Sequence, residues 1–163
     1  MDTSAALPLT REHLDWPFFD KAHADWAAKL DAFAQSPALA DVDYSDTDNA
    51  CRALVKALGK AGLLEAAVSL TGGEGIDSRK LCIARETLAY HDGLADFAFA
   101  MQGLGTGAIS LTASDGLKQA VLPKVASGEW ISAFALSEKL AGSDVAAMSC
   151  AAKADGDHYV LDG

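Results

Sequence analysis

No run of basic residues appears anywhere in this sequence. Acidic residues outnumber basic ones 23 to 13, for a net charge of −10. Recognition of a phosphate backbone rests on clustered Lys and Arg, so nucleic acid is not expected as a partner. No apolar stretch approaches the roughly 20 residues needed to span a bilayer, so no membrane partner is expected either. The opening residues, MDTSAALPLTREH, lack a basic segment followed by an apolar one and do not read as a signal peptide. Cysteine is scarce. Cys51, Cys82 and Cys150 are odd in number and far apart, with no CxxC pair and no Cys/His cluster at zinc spacing. They are expected as reduced, mostly buried thiols, without a metal, in a cytoplasmic protein. Histidine is sparse too. His13, His23, His91 and His158 are scattered without a Ser/His/Asp spacing signature, which argues against a hydrolase.

What is present is a globular composition. Half of the 163 residues are apolar and 22% are charged, enough for one buried core. Residues 1–15 read as a loose arm. Trp26, Leu30 and Phe33 recur at helical spacing and predict a helix from Pro17 to Gln35, ended by Ser36-Pro37. Residues 37–46, with Asp41, Asp43 and Asp46, read as a linker. Asp46 or Thr47 caps a second helix with Cys51, Leu54, Val55 and Leu58 on one face, weakened by Gly59 and Gly62. Thr71–Gly75 (TGGEG) reads as a turn. Asp77 or Ser78 caps a third helix, ended by His91-Asp92-Gly93, with Arg85 and Glu86 on a solvated face. Leu94–Leu111 is apolar nearly all round and predicts a buried central helix. Ser114 or Asp115 caps a fifth helix, in which Pro123 is expected to kink or end the helix.

The period then changes. Trp130–Leu136, WISAFAL, suits a buried strand. Met148–Ala154 and His158–Leu161 read as a hairpin around Asp155-Gly156. Two or three strands cannot bury both faces, so the sequence is expected to be cut within a β domain.

The stretch FALSEKLAGSD, Phe134–Asp144, carries the most chemistry. Ser137 offers a hydroxyl at the end of the expected strand. Gly142 permits close approach or a positive φ. Ser143 adds a hydroxyl and an amide, and Asp144 can cap the turn Val145–Ala147. Successive amides at such a turn can hold a phosphate or a polarised carbonyl oxygen. A plain β-turn in which Ser and Asp satisfy backbone groups is the alternative. GLGTG, Gly103–Gly107, is not a dinucleotide fingerprint, because no strand precedes it. Close helix packing accounts for it better.

Residues 131–163, ISAFALSEKLAGSDVAAMSCAAKADGDHYVLDG, resemble the strand, flavin loop and hairpin of the acyl-CoA dehydrogenase family. LKQAVLPKVASGEW and LCIARETLAYHDGLADFAFAMQGLG resemble the helices before them. The resemblance implies a mainly α fold, an N-terminal helical bundle of the acyl-CoA dehydrogenase type over 1–128, followed over 129–163 by the first strands of a truncated middle β domain. It implies FAD as cofactor, with Phe134, Ala135, Leu136 and Ser137 against the isoalloxazine ring and Gly142 and Ser143 near the flavin phosphates. It implies an acyl-CoA substrate near Ser143, with Thr106, Gly107 and Ser110 as candidates along the acyl channel. An electron-transfer partner and homo-oligomerisation of the full protein follow from the same resemblance. Lys139 stands where the family has proline and predicts a looser loop. Glu138 is read as structural, because the family's catalytic glutamate comes from a C-terminal helical domain. No catalytic residue is assigned within 1–163. The chain is therefore expected to be an inactive N-terminal fragment of a dehydrogenase that introduces an α,β double bond into an acyl thioester. The alternative is a non-catalytic helical interaction module derived from the same fold.

Overall fold

The computed structural model describes residues 8–70 and 75–163, so most of the turn read at Thr71–Gly75 and the first seven residues of the arm lie outside them. Six α-helices occur among the described residues: α1 Lys21–Ala34, α2 Pro37–Ala40, α3 Thr47–Lys60, α4 Ser78–His91, α5 Gly93–Thr112 and α6 Asp115–Ala126. Two strands, β1 Ala151–Asp155 and β2 His158–Asp162, follow. The fold is thus mainly α with a C-terminal antiparallel hairpin, as expected. Its contacts divide it into a helical unit ending at Ala133 and a second unit, Phe134–Gly163. None of the helices among the described residues is long and apolar enough to cross a membrane.

Short polar side chains set the helix starts. Asp46 accepts the Asn49 N–H at 3.1 Å, Asp77 the Arg79 N–H at 3.0 Å, and Asp92 the Ala95 N–H at 2.7 Å. Each satisfies an amide that has no partner within its helix. Asp92 also closes α4, so a single residue separates α4 from α5. α1 starts at Lys21, not at Pro17. Asp20 caps it by accepting the Ala22 N–H at 2.9 Å, while the His23 ring accepts the Asp20 N–H at 3.1 Å. The residues read as a linker hold α2, which has Pro37 in its first turn. α6 runs on through Ala126, past Pro123. Only three residues follow the proline, and the burial of Leu122, Val125 and Ala126 offsets the one lost hydrogen bond.

α5 packs against α3, α4 and α6, and α1 packs on α4. Leu30, Leu54, Leu58, Leu63, Leu64, Ile83, Leu88 and Phe99 are fully buried in one core. Each large side chain removed from water there stabilises the fold by about 1.5–3 kcal/mol. A smaller cluster joins Val68 to Leu122, Val125 and Ala126. α5 is central but is not buried all round. Ala95, Ala98, Phe99, Gln102, Thr106 and Ser110 face inward, while Phe97, Leu104 and Leu111 are each more than half exposed.

Two glycines explain how closely the helices approach. A Cβ on Gly59 of α3 would lie 2.2 Å from the carbonyl oxygen of Ser127, just after α6. A Cβ on Gly103 of α5 would lie 2.9 Å from the carbonyl oxygen of Ala67. Gly103 thus marks close packing of α5, as its sequence context suggests.

Long-range polar contacts complete the helical unit. Arg11 anchors the arm, donating to Asp31 and to Thr87, both at 2.6 Å, and to Glu86 at 3.2 Å. Arg85 is not merely solvated: it makes a two-pronged pair with Asp96 at 2.9 and 2.8 Å, joining α4 to α5. Trp26 donates to the Lys80 carbonyl at 2.9 Å, whereas Trp16 and Trp130 are exposed, and Cys82 and Cys150 are exposed too, not buried as expected, because neither packs into the core.

The β expectations hold in part. β1 and β2 pair in register from Ala151 with Asp162 to Asp155 with His158. The two-residue loop is Gly156-Asp157, not Asp155-Gly156, because Asp155 still pairs with His158 in the ladder. Gly156 has φ +63° and Asp157 a non-positive φ, the pattern of a type II′ hairpin turn. Trp130–Leu136 is not a buried strand. It has no ladder partner and its aromatic and aliphatic side chains are largely exposed. A strand needs a neighbour to satisfy its backbone, and none of the described residues provides one.

Candidate functional site

The segment that sequence singles out, Phe134–Asp144, is irregular backbone ending in a closed turn. Glu138 and Ala141 exchange two backbone hydrogen bonds, at 2.8 and 3.3 Å, around Lys139 and Leu140. The absence of proline therefore does not open the loop. The Glu138 carboxylate holds the turn in place. One oxygen accepts the Ser149 amide at 2.7 Å and its hydroxyl at 2.8 Å, and the other accepts the Cys150 amide at 2.9 Å. Three donors stabilise the ionised form, and the Ser149 amide, the largest cause, draws the Glu138 pKa below its ordinary value. All of the carboxylate's near partners are structural, which agrees with reading Glu138 as a structural residue.

Asp144 accepts the Ala146 N–H at 3.2 Å and caps the turn Val145–Ala147, as its position suggests. Gly142 does not adopt a positive φ. It is exposed, and a Cβ there would meet nothing within 4 Å. Ser137 and Ser143 are exposed, and among the described residues neither hydroxyl makes a hydrogen bond. Phe134 is half exposed and Leu136 more than a third exposed.

This composition suits a flat conjugated ring with a polar edge. Apolar side chains stand open for the ring's face, and uncommitted hydroxyls and amides stand beside them for its heteroatoms. The residues therefore fit FAD. Phe134, Ala135, Leu136 and Ser137 are consecutive, and Gly142 and Ser143 follow beyond the closed turn.

The candidates on α5 are placed differently. Thr106 is buried and donates its hydroxyl to the Gln102 carbonyl at 2.7 Å. Ser110 is buried as well, while Gly107 has open space around it. Another part of α5 lines an apolar pocket of about 280 Å³, with Ala100, Gly103 and Leu104 on α5 facing Ile76 and Leu81 over Phe99. The small residues Ala100 and Gly103, three apart on a helix, were the available signal. They point to a hollow only when the facing residues are known.

Comparison with known proteins gives these features a family. Residues 20–129 match the family model described as acyl-CoA dehydrogenase, N-terminal domain. The chain belongs to the acyl-CoA dehydrogenase family. It is 46% identical over 92 residues to a probable acyl-CoA dehydrogenase of Mycobacterium bovis, covering 56% of this chain and 24% of that protein. It is 33% identical over 130 residues to a mitochondrial isovaleryl-CoA dehydrogenase of Bos taurus, covering 78% of this chain and 30% of that one. The crystal structure of an acyl-CoA dehydrogenase complexed with FAD from Bacillus anthracis matches with a TM-score of 0.72 and 30% identity. That match covers 97% of this chain and 28% of the other. The chain thus spans 24–30% of the length of these relatives.

Proposed function

We propose that the chain is the N-terminal part of a larger FAD-dependent dehydrogenase that introduces an α,β double bond into an acyl-CoA thioester. Residues 1–128 are its helical domain and 129–163 the beginning of its middle β domain. The observation that carries the reading is the Phe134–Ser143 segment, open to a ligand and braced by Glu138, in a chain of this family.

In this reading Phe134 and Leu136 exclude water from the ring face, and the amides and hydroxyl around Ser137 hold its polar edge. Donors fixed in advance at that edge favour negative charge there without reorganising. Bound FAD supplies hydride acceptance from the acyl β-carbon, while the α-proton leaves to a base expected outside residues 1–163. Gly142 and Ser143 leave room for phosphate or thioester. The acyl chain lies against α5, in the pocket over Phe99 or along Thr106, Gly107 and Ser110. An electron-transfer protein reoxidises the flavin, and the full protein is a homo-oligomer.

The test is anaerobic reduction of the flavin in the full-length protein by a series of acyl-CoA thioesters. Bleaching of the flavin absorbance with at least one of them is expected, together with no turnover by the 163-residue chain alone. A full-length protein that purifies without flavin, or whose flavin no acyl-CoA reduces, overturns the reading and favours an interaction module.

A further inference from the structure

α5 is rich in apolar and small residues, yet it buries a carboxamide. Gln102 is 1% exposed. A buried amide is costly unless its groups are paired, and here both the nitrogen and the oxygen have partners. Its Nε2 donates to the Ala98 carbonyl at 3.0 Å, and its Oε1 accepts the Ser132 backbone N–H at 3.0 Å. The Ser132 hydroxyl returns the contact, standing 3.0 Å from the carbonyl oxygens of both Met101 and Gln102. One turn further along α5, Gly105 faces the next residue. A Cβ there would lie 2.7 Å from the Ala133 nitrogen and 2.7 Å from the Ser132 Cβ.

Between Ile131 and Ser137, among the described residues, no amide donates to a backbone carbonyl. The side chain of Gln102 takes the place of a ladder partner for Ser132, and Gly105 leaves the gap into which Ala133 fits.

We propose that Gln102 and Gly105 form a positioning seat that fixes the chain at Ser132 and Ala133, and that this fixed departure point sets the flavin contact made from Phe134 onward. The second half of the proposal rests on the FAD reading above. Neither residue touches the cofactor, so both act through the backbone they hold. An apolar residue at 102 would leave the Ser132 amide without its partner. A methyl group at 105 would lift Ala133 off the helix.

The seat is tested without flavin by amide hydrogen exchange in the chain itself, comparing wild type with Gln102→Met and Gly105→Ala. The Ser132 amide is expected to exchange about tenfold faster in both variants, the consequence of one lost hydrogen bond, while α3 and α4 are unchanged. Unchanged exchange at the Ser132 amide in both variants overturns the seat. If Gln102→Met does not fold, Gln102→Asn, which keeps the carboxamide but withdraws it, is expected to shift exchange in the same direction.

The consequence for flavin is read in the full-length protein by FAD titration, visible circular dichroism of the flavin and its midpoint potential. Both variants are expected to bind FAD more weakly, with an altered dichroism spectrum. Wild-type affinity, spectrum and potential in variants that show faster exchange overturn the link to flavin. A wild-type protein that takes up no FAD overturns the functional reading, and the flavin half of this proposal with it.

Discussion

Gly59 of α3 lies against the backbone of Ser127, so close that a Cβ on the glycine would sit 2.2 Å from the serine carbonyl oxygen. Gly128 completes the contact from the other side. With φ +76°, it would place a Cβ 2.6 Å from the Val55 carbonyl oxygen. Replacing a helical glycine by alanine ordinarily gains about 1 kcal/mol of helix propensity. Here the clash is with backbone, which cannot rotate away. Gly59→Ala is expected to destabilise the chain by about 1–3 kcal/mol, the usual cost of overpacking. Urea unfolding measures it, and a stabilised variant would contradict the contact.

Asp77 joins α1 to α4. It caps α4, pairs with Arg79 at 3.0 Å, and lies 2.9 Å from the Nε2 of buried His23. The Arg79 guanidinium is the main cause that holds its carboxyl well below the usual carboxylate range; partial burial opposes it, and His23 adds to the lowering. A carboxyl with a lowered folded pKa stabilises the fold above its unfolded pKa, and that stability is lost as pH falls through the folded value. The wild-type chain is therefore expected to lose stability more steeply on acidification than Asp77→Asn. Asp77→Ala also loses the cap, at a cost of about 0.5–2 kcal/mol. Thermal melts across the acid range separate the two effects.

Arg11 turns the N-terminal arm into part of the bundle. Arg11→Met keeps the side-chain length but removes the hydrogen bonds to Asp31, Thr87 and Glu86. Hydrogen bonds to charged groups are worth about 1.5–3 kcal/mol, and screening at this partly exposed site lowers the figure. Proteolysis within residues 8–19 is expected to speed up while the α-helical circular dichroism stays the same.

Glu138→Gln keeps the shape of the brace but weakens it, because a neutral carbonyl is a poorer acceptor than a carboxylate. Its amide also offers a single oxygen where three donors converge. The Ser149 and Cys150 amide resonances are expected to move upfield in the variant. In wild type the same movement appears only as pH falls through the lowered Glu138 pKa, since the brace is intact above the ordinary glutamate value.

Phe97, Leu104 and Leu111 stand at seven-residue intervals on one face of α5 and remain exposed. Exposed apolar side chains on one helix face favour association in water. The chain is expected to self-associate with rising concentration, and Phe97→Glu with Leu111→Glu to reduce it. Light scattering reads both.

Local hydrogen bonds were legible in the sequence by itself, because their donors and acceptors lie within three or four residues of each other. Asp46, Asp77 and Ser114 each cap the helix that their sequence positions suggest, and Gly156 turns the hairpin with Asp157, one residue later than Asp155-Gly156 suggests. The Phe134–Asp144 motif and its resemblance belong to the same category, since a motif is a local pattern. Tertiary structure decided what depends on residues far away in the chain. Periodicity marks α5 as apolar nearly all round but does not say which face finds a partner, and among the described residues Phe97, Leu104 and Leu111 are left without one. Trp130–Leu136 has a strand's composition, but a strand exists only where another backbone pairs with it. In its place, the side chain of Gln102, thirty residues earlier, holds Ser132. Gly59 looks like a weak point in a helix until the backbone pressed against it is known, and then it is the residue that allows α3 to meet the chain at Ser127.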